Sequence, residues 1–331
     1  MKEIYIADFA RLDENKPFDS IYLVLSKQHR TTRNAKPYIS LILGDNSGQI
    51  EARIWDPLDT RIAPEFAKGD VVKVRGCSSK FEGVLQLKID LLRKLAPSEF
   101  DRADLLPATT YNIDSLWEQL EHSVASFTDP HLQRLVVTIL AVPSVREAFI
   151  EAPAAKQLHH AFLGGLLEHV VSLLGLAEKV VPHYPILMRD LVLTGIILHD
   201  IGKIHELAWS TGFEYTLEGQ LLGHIQIGSA MIEKTIDSLP DFPPRLKTLV
   251  LHMILSHHGK LEFGSPKLPM IPEALMLNFL DDMDAKMQTL ASEFQKATRQ
   301  GKGPADMTDK IWALDQRTML NSRAWLAEDN E

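Results

Sequence analysis

The chain has 331 residues, 35 Lys and Arg against 44 Asp and Glu (net charge −9), and 45% hydrophobic residues. That allows two domains, or one large domain with an appendage, around a sizeable core. The single cysteine, Cys77, excludes an intramolecular disulfide and a zinc-ribbon site, and no stretch is apolar over the length a bilayer span requires.

The N-terminal stretch MKEIYIADFARLDENK carries acidic residues early and no long apolar core, so neither a secretory signal nor a membrane helix is expected. A soluble cytoplasmic protein is the expectation. The charge is uneven: residues 1–100 hold 16 Lys and Arg against 14 acidic residues, and residues 101–331 hold 19 against 30. A mildly basic end on an acidic protein suits a local anionic partner, although ordinary surface variation gives the same pattern.

Residues 20–95 read as β structure. The runs SIYLVLSK, YISLILGD, GQIEARIWD, DVVKVRGCSS and VLQLKIDLL alternate or are rich in β formers, and turn signals at 45–48, 68–70 and 82–83 separate them. Five short strands, with a helical insertion expected around 57–67, fit a small closed barrel of the OB type over residues 1–95. Between the first two strands KQHRTTRNAK supplies four cations and no acid, and Tyr22, Tyr38, Trp55 and Phe81 lie nearby in sequence. Cations meet phosphates and rings stack on bases, so Lys27, Arg30, Arg33, Lys36, Tyr38, Trp55 and Phe81 are the candidate residues for a single-stranded nucleic acid. A solvated basic loop beside core aromatics is the alternative.

Residues 96–155 read as a linker with Pro97 and Pro107, followed by helices: IDSLWEQLEHSVASF and HLQRLVVTILAV have helical apolar spacing. An all-α domain is expected over 156–331, ending in one helix over KIWALDQRTMLNSRAWL that packs back. The whole is thus a multidomain β plus α protein, with a five-stranded barrel followed by a helical bundle.

Histidines and carboxylates interrupt the apolar helices of that bundle. In HHAFLGGLLEHVVSLLGLAEKV, His169 lies off the main apolar stripe but faces the interior; Gly164 and Gly165 weaken the helix and permit close approach. LVLTGIILHD is apolar almost all round, as in a central buried helix, and a carboxylate at its end is costly unless paired or bound to a metal. His199 and Asp200 point about 100° apart on a helix, yet both can reach one ion at the helix end. Gly202 then lets the chain turn, and Lys203 is left close by. LLGHIQIG contributes His224, LHMILSHHGK contributes His252, His257 and His258, and LMLNFLDDMDAKM contributes Asp281, Asp282 and Asp284. Any one of these is more often a satisfied core residue. Taken together, nitrogen and carboxylate ligands without cysteine suit a divalent transition metal and argue against structural zinc.

The ordered set His169, His199-Asp200, His224, His257-His258 and Asp281 resembles the HD-domain metal-dependent phosphohydrolases, whose pattern is His, His-Asp, often further His, and a late Asp. The resemblance implies a first metal held by His169, His199, Asp200 and Asp281. It implies a second metal held by His224, His257 and His258, with Asp200 bridging, as in binuclear members. Asp282 and Asp284 are weaker candidates for the late Asp. One or two divalent ions are implied, manganese first, with Co, Fe, Ni, Zn and Mg also suited. Asp200 and Lys203 would be the catalytic pair, Lys203 binding a phosphoryl oxygen or the leaving side. The alternative for Lys203 is a cation favoured by a helix C-terminus. His159 and His160 could contact substrate, or cap or fill the core.

An OB-like barrel ahead of an HD domain resembles the YhaM family of 3'-5' exoribonucleases. The likeness runs through RTTRNAKPYISLILGDNSGQIEARIWD, HHAFLGGLLEHVVSL and LMLNFLDDMDAKM, with Ala35 and Gly44 standing where polar residues are expected. It implies an exonuclease on single-stranded RNA, or DNA, with no membrane association. A phosphatase or phosphodiesterase on a small nucleotide, with the barrel as a regulatory or oligomerisation module, is the second reading. A nucleic-acid-binding protein that has lost its metal is the third. Oligomeric state is not fixed by the sequence.

Overall fold

Strand β1 (Pro17–Thr31) is long because it serves two neighbours. Its first half, Pro17 to Leu23, pairs antiparallel with β4 (Val71–Phe81), and its second half, Leu23 to Thr31, with β2 (Pro37–Asp45). The register shifts between Val24 and Ser26, where β1 passes from one neighbour to the other. With β3 (Gly48–Ile54) and β5 (Val84–Lys94) the sheet closes as β1-β2-β3-β5-β4, and β3 and β5 run parallel. Alternation sends Ile39, Leu41 and Leu43 of β2 and Ile50, Ala52 and Ile54 of β3 inward, beside Tyr22, Val74 and Leu87. The computed structural model describes residues 2–11, 15–32, 34–59, 61–62, 65–81, 84–156, 160–210 and 212–328.

The chain divides into two compact units, Met1–Ala108 with Trp209–Gly212, and Thr109–Ala208 with Phe213–Glu331. The second unit is helical: α1 (Ile113–Ala125), α2 (Pro130–Leu140), α3 (Pro143–Glu151), α4 (Gly165–Val180), α5 (Arg189–Leu198) and the single turn α6 (Lys203–Glu206). A hairpin of β6 (Leu207–Ala208) and β7 (Glu214–Tyr215) precedes α7 (Leu217–Ser238), α8 (Pro244–Ser256), α9 (Pro272–Arg299) and α10 (Ser322–Glu328). Caps set the starts of several helices. The Asn112 side chain accepts from the Ser115 N–H, Asp129 accepts from His131 and Leu132 ahead of Pro130, and Thr216 accepts from Gly219. Helix α5 is buried from Asp190 to Leu198 and packs against α2, α4, α8 and α9. Among the described residues, no helix is long and apolar enough to cross a membrane.

Four local expectations change. The described part of 57–67 contains no helix, only turns and a bridge from Ile62 to Leu92; Pro57 and Pro64 lack the N–H a helix needs. Lys27 to Thr31 belong to β1 rather than to a loop, because β1 continues along β2. Gly164 and Gly165 start α4 instead of weakening its interior: Gly164 is the N-cap at φ 77°, and a Cβ on Gly165 would lie 2.0 Å from the His160 carbonyl oxygen. The single terminal helix over 310–326 is broken. Asp315 and Gln316 adopt φ 53° and 61°, a bridge joins Ile311 to Arg317, and α10 starts only at Ser322.

Candidate metal centre

His169 lies in the second turn of α4, His199 caps α5 with Asp200 next to it, His257 caps α8, and Asp281 projects from α9. His169, His199 and His257 are wholly buried. Two groups of donors result. In the first, Nε2 of His169 is 3.1 Å and Nε2 of His199 is 3.9 Å from Oδ1 of Asp281, and Nε2 of His199 is 3.2 Å from Oδ2 of Asp200. In the second, Nε2 of His224 and of His257 lie 3.4 and 3.7 Å from the other Asp200 oxygen, Oδ1. His258 completes this group, its ring centroid 4.3 Å from that of His257. The donor atoms of His169, His199 and Asp281 lie within 4.8 Å of one another, as do those of His224, His257 and His258.

The hydrogen bonds orient the rings. His199 Nδ1 donates to the Ile196 carbonyl and His257 Nδ1 to the Ile254 carbonyl, each at 2.8 Å, and His224 Nδ1 is 3.0 Å from Glu206 Oε1. The Nε2 atoms of these three rings and Oδ1 of Asp200 are buried without a hydrogen-bond partner. Four converging atoms of this kind are expensive unless a cation satisfies them. In the second group the protonation states fit as well, whereas in the first burial is outweighed by Asp200 and Asp281, which raise the pKa of His199. Burial, then the neighbouring imidazoles, push His257 well below the usual imidazole range, and burial and His224 lower His258. Burial opposes ionisation of Asp200 and Asp281. Lys203 and His199 around Asp200, and His169 and His199 around Asp281, more than offset it, and both carboxyls lie well below their usual range. Ionised carboxylates and neutral imidazoles are the ligand forms a divalent cation takes.

Lys203 opens the single turn α6, shortly after the end of α5 at Leu198. Its Nζ donates to Asp200 Oδ2 at 2.6 Å, and Asp200 raises its pKa against the effect of burial. Helix α7 is kinked at Gly223, φ 73°, which presents both the backbone N–H and the ring of His224 to Glu206. Asp282 is exposed and pairs with Lys286 at 2.6 Å. Asp284 is buried behind His169, with Oδ2 2.8 Å from Nδ1, and also lies 3.1 Å from His160 Nε2. His160 is thus a buried partner of Asp284, and His159 lies outside the described residues. His252 Nε2 accepts from the Met270 N–H, apart from both groups. Glu206 escaped the sequence reading because its partner, His224, lies 18 residues away on another helix.

Residues 166–286 match the HD domain family, and residues 23–95 match an OB-fold nucleic acid binding domain. Two curated relatives, each named 3'-5' exoribonuclease YhaM, align over 305 residues. That of Geobacillus sp. (strain WCH70) is 37% identical, covering 91% of this chain and 90% of its own. That of Shouchella clausii (strain KSM-K16) is 34% identical, covering 91% and 92%. The chain belongs to the YhaM family.

The barrel of this YhaM-family chain gathers part of the expected nucleic-acid face. Tyr38 starts the outward set of β2 and Trp55 follows β3; their rings lie 5.1 Å apart at 31°. The Arg53 guanidinium is 5.6 Å from the Trp55 ring, a cation that sequence position alone did not single out. Arg30 stands opposite Tyr38 in the β1–β2 ladder, exposed and bonded to Gln28, and Lys36 is exposed in the connection. Lys27 is different: half-buried, its ammonium donates to the Phe66 carbonyl at 2.7 Å and lies 3.8 Å from the Phe66 ring centroid, so part of its hydrogen-bonding capacity is already used. Tyr22 is core, its hydroxyl donating to the Ile4 carbonyl. Arg33 and the side chain of Phe81 lie outside the described residues.

Proposed function

We propose that this protein is a metal-dependent 3'-5' exoribonuclease that removes nucleotides from single-stranded RNA at the Asp200 centre. The observation that most supports this is the division of the Asp200 carboxylate, one oxygen toward the His169, His199 and Asp281 group, the other toward the His224, His257 and His258 group. Such a set would hold two divalent ions, with Asp200 offering one oxygen to each group; nitrogen and carboxylate donors together suit Mn, Fe, Co, Ni or Zn, and manganese is the ion we propose. When bound, the ions supply a water nucleophile usable at neutral pH and neutralise charge on the phosphoryl oxygens. Asp200 holds the two halves together, and Lys203 brings a fixed positive charge to a non-bridging oxygen as charge develops there. Tyr38 and Trp55 provide a stacking surface for bases, flanked by Arg30, Arg53 and Lys36. The names of the relatives favour RNA over DNA.

The test is a gel time course with 5'-labelled single-stranded RNA, with manganese or chelator, beside Asp200→Ala. A manganese-dependent ladder shortening from the 3' end, absent in the variant, is the expected result. An intact RNA band from protein shown to contain metal would reject the nuclease reading in favour of small phosphate esters.

A further inference from the structure

The histidines of the centre are backed in two ways. His199, His257 and His258 each turn Nδ1 to a main-chain carbonyl, at Ile196, Ile254 and Phe263. These carbonyls lie three to five residues away, so the chain supplies them locally. The other two rings, one in each group, are backed by carboxylates brought from elsewhere. His169 Nδ1 meets Asp284, 115 residues on, at 2.8 Å, and His224 Nδ1 meets Glu206 at 3.0 Å.

We infer that Asp284 and Glu206 are paired positioning residues, one for each half of the centre, each holding one histidine in the tautomer whose Nε2 binds metal and so setting the ion affinity of its own half. This rests on the two-ion reading above. Both carboxylates are nearly closed to solvent, 5% and 8% exposed, a costly placement for groups that touch no substrate unless they serve a neighbour. Each is held by more than its histidine. Asp284 also accepts from Ser172 Oγ at 2.6 Å and lies 3.1 Å from His160 Nε2, and Glu206 Oε1 also accepts the His224 backbone N–H at 2.9 Å. Behind Asp284 the chain of contacts continues: His160 Nδ1 is 3.5 Å from Glu168, which accepts from the Thr109 hydroxyl. His160 sits at φ 48°, a strained backbone for a non-glycine residue, and its carbonyl is pinned by the N–H groups of Ala154 and Phe162. A carboxylate on the far nitrogen orients a metal-binding imidazole and strengthens it as a donor, and its removal costs about 10–100-fold in metal affinity. An amide in its place can donate to Nδ1 and drive the ring into the wrong tautomer.

Manganese titration calorimetry on the full chain tests the assignment, with His169→Ala and His257→Ala identifying which phase belongs to which half. Asp284→Asn should weaken only the ion of the His169 half, by about 10–100-fold, and Glu206→Gln only that of the His224 half. Thermal unfolding of the metal-free variants shows that each is folded, and each variant decides its own half. Two ions in the unaltered protein, with both phases weakened alike or neither changed, would overturn the inference alone. A single ion in the unaltered protein would overturn the two-ion reading and the inference with it.

Discussion

Gly202 packs against the start of the His224 helix so closely that a Cβ on Gly202 would lie 2.0 Å from the His224 carbonyl oxygen. Its φ is an ordinary −65°, so glycine is needed there for space and not for a turn conformation. Gly202→Ala should push His224 off Asp200, lose manganese from the second group and cost about 1–3 kcal/mol of stability. Metal content by mass spectrometry together with a thermal melt checks this. An alanine variant with unaltered melting and two ions would show that the contact yields without consequence.

Among the described residues, Asp200 is the one carboxylate that faces both histidine groups. Asp200→Ala should therefore empty both halves and lower RNA hydrolysis by roughly three orders of magnitude, the scale of losing one charge-stabilising group. Asp282→Ala, at an exposed residue paired with Lys286, should leave hydrolysis unchanged. Parallel rate measurements on the two variants test the choice between these neighbouring acids.

Chelation should destabilise the helical unit, because an ion that binds only the folded centre adds about 2.7 kcal/mol when its concentration is a hundred times its dissociation constant. The unfolding midpoint should rise with added manganese in the unaltered protein and stay flat in Asp200→Ala. A rise of equal size in both would place the stabilising ion elsewhere.

On the barrel, Trp55→Ala should weaken single-stranded RNA binding by about 1–3 kcal/mol through lost stacking. Arg30→Ala should reduce the slope of affinity against salt by about one contact. Lys27→Ala should leave that slope alone, since its ammonium is held by Phe66. Binding titrations across a salt series separate the three, and a Lys27 effect as large as that of Arg30 would contradict this division.

Asp190 gives a pH signature remote from the metal. Burial opposes its ionisation, but the N–H groups of Asp129 and Thr128, the Thr128 hydroxyl and Arg189 more than offset it, and its carboxyl lies below the usual range. With the folded pKa below the unfolded value of about 3.9, its stabilisation is present above that value and is lost as pH falls through the folded one. Asp190→Asn should thus cost about 1–3 kcal/mol at neutral pH and progressively less in acid. Denaturant titrations at two pH values read the difference, and an equal deficit at both would show that the carboxylate charge does not matter.

Much of the fold is legible from local pattern. Strand alternation in YISLILGD and GQIEARIWD marks inward residues that do form the barrel core, because side-chain direction on a strand has a period of two wherever the strand goes. The apolar run of LVLTGIILHD marks a central helix for the same kind of reason, and His199 and Asp200 stand out as polar groups at its buried end. The helix expected over 310–326 failed at Asp315 and Gln316, whose left-handed backbone carries no apolar-periodicity signal.

The sequence alone therefore determined the two kinds of structure and the set of residues with metal-binding chemistry, since residue type and local spacing are properties of the chain. Only the tertiary structure decided that Asp200 divides its oxygens between two histidine groups, that Lys27 turns to Phe66 while Arg30 stays outward, and that Asp284 and Glu206 back one histidine each. Most of these are contacts between separate segments of the chain, up to 115 residues apart. Which faces meet is set by packing around a shared core, which no spacing along the chain records.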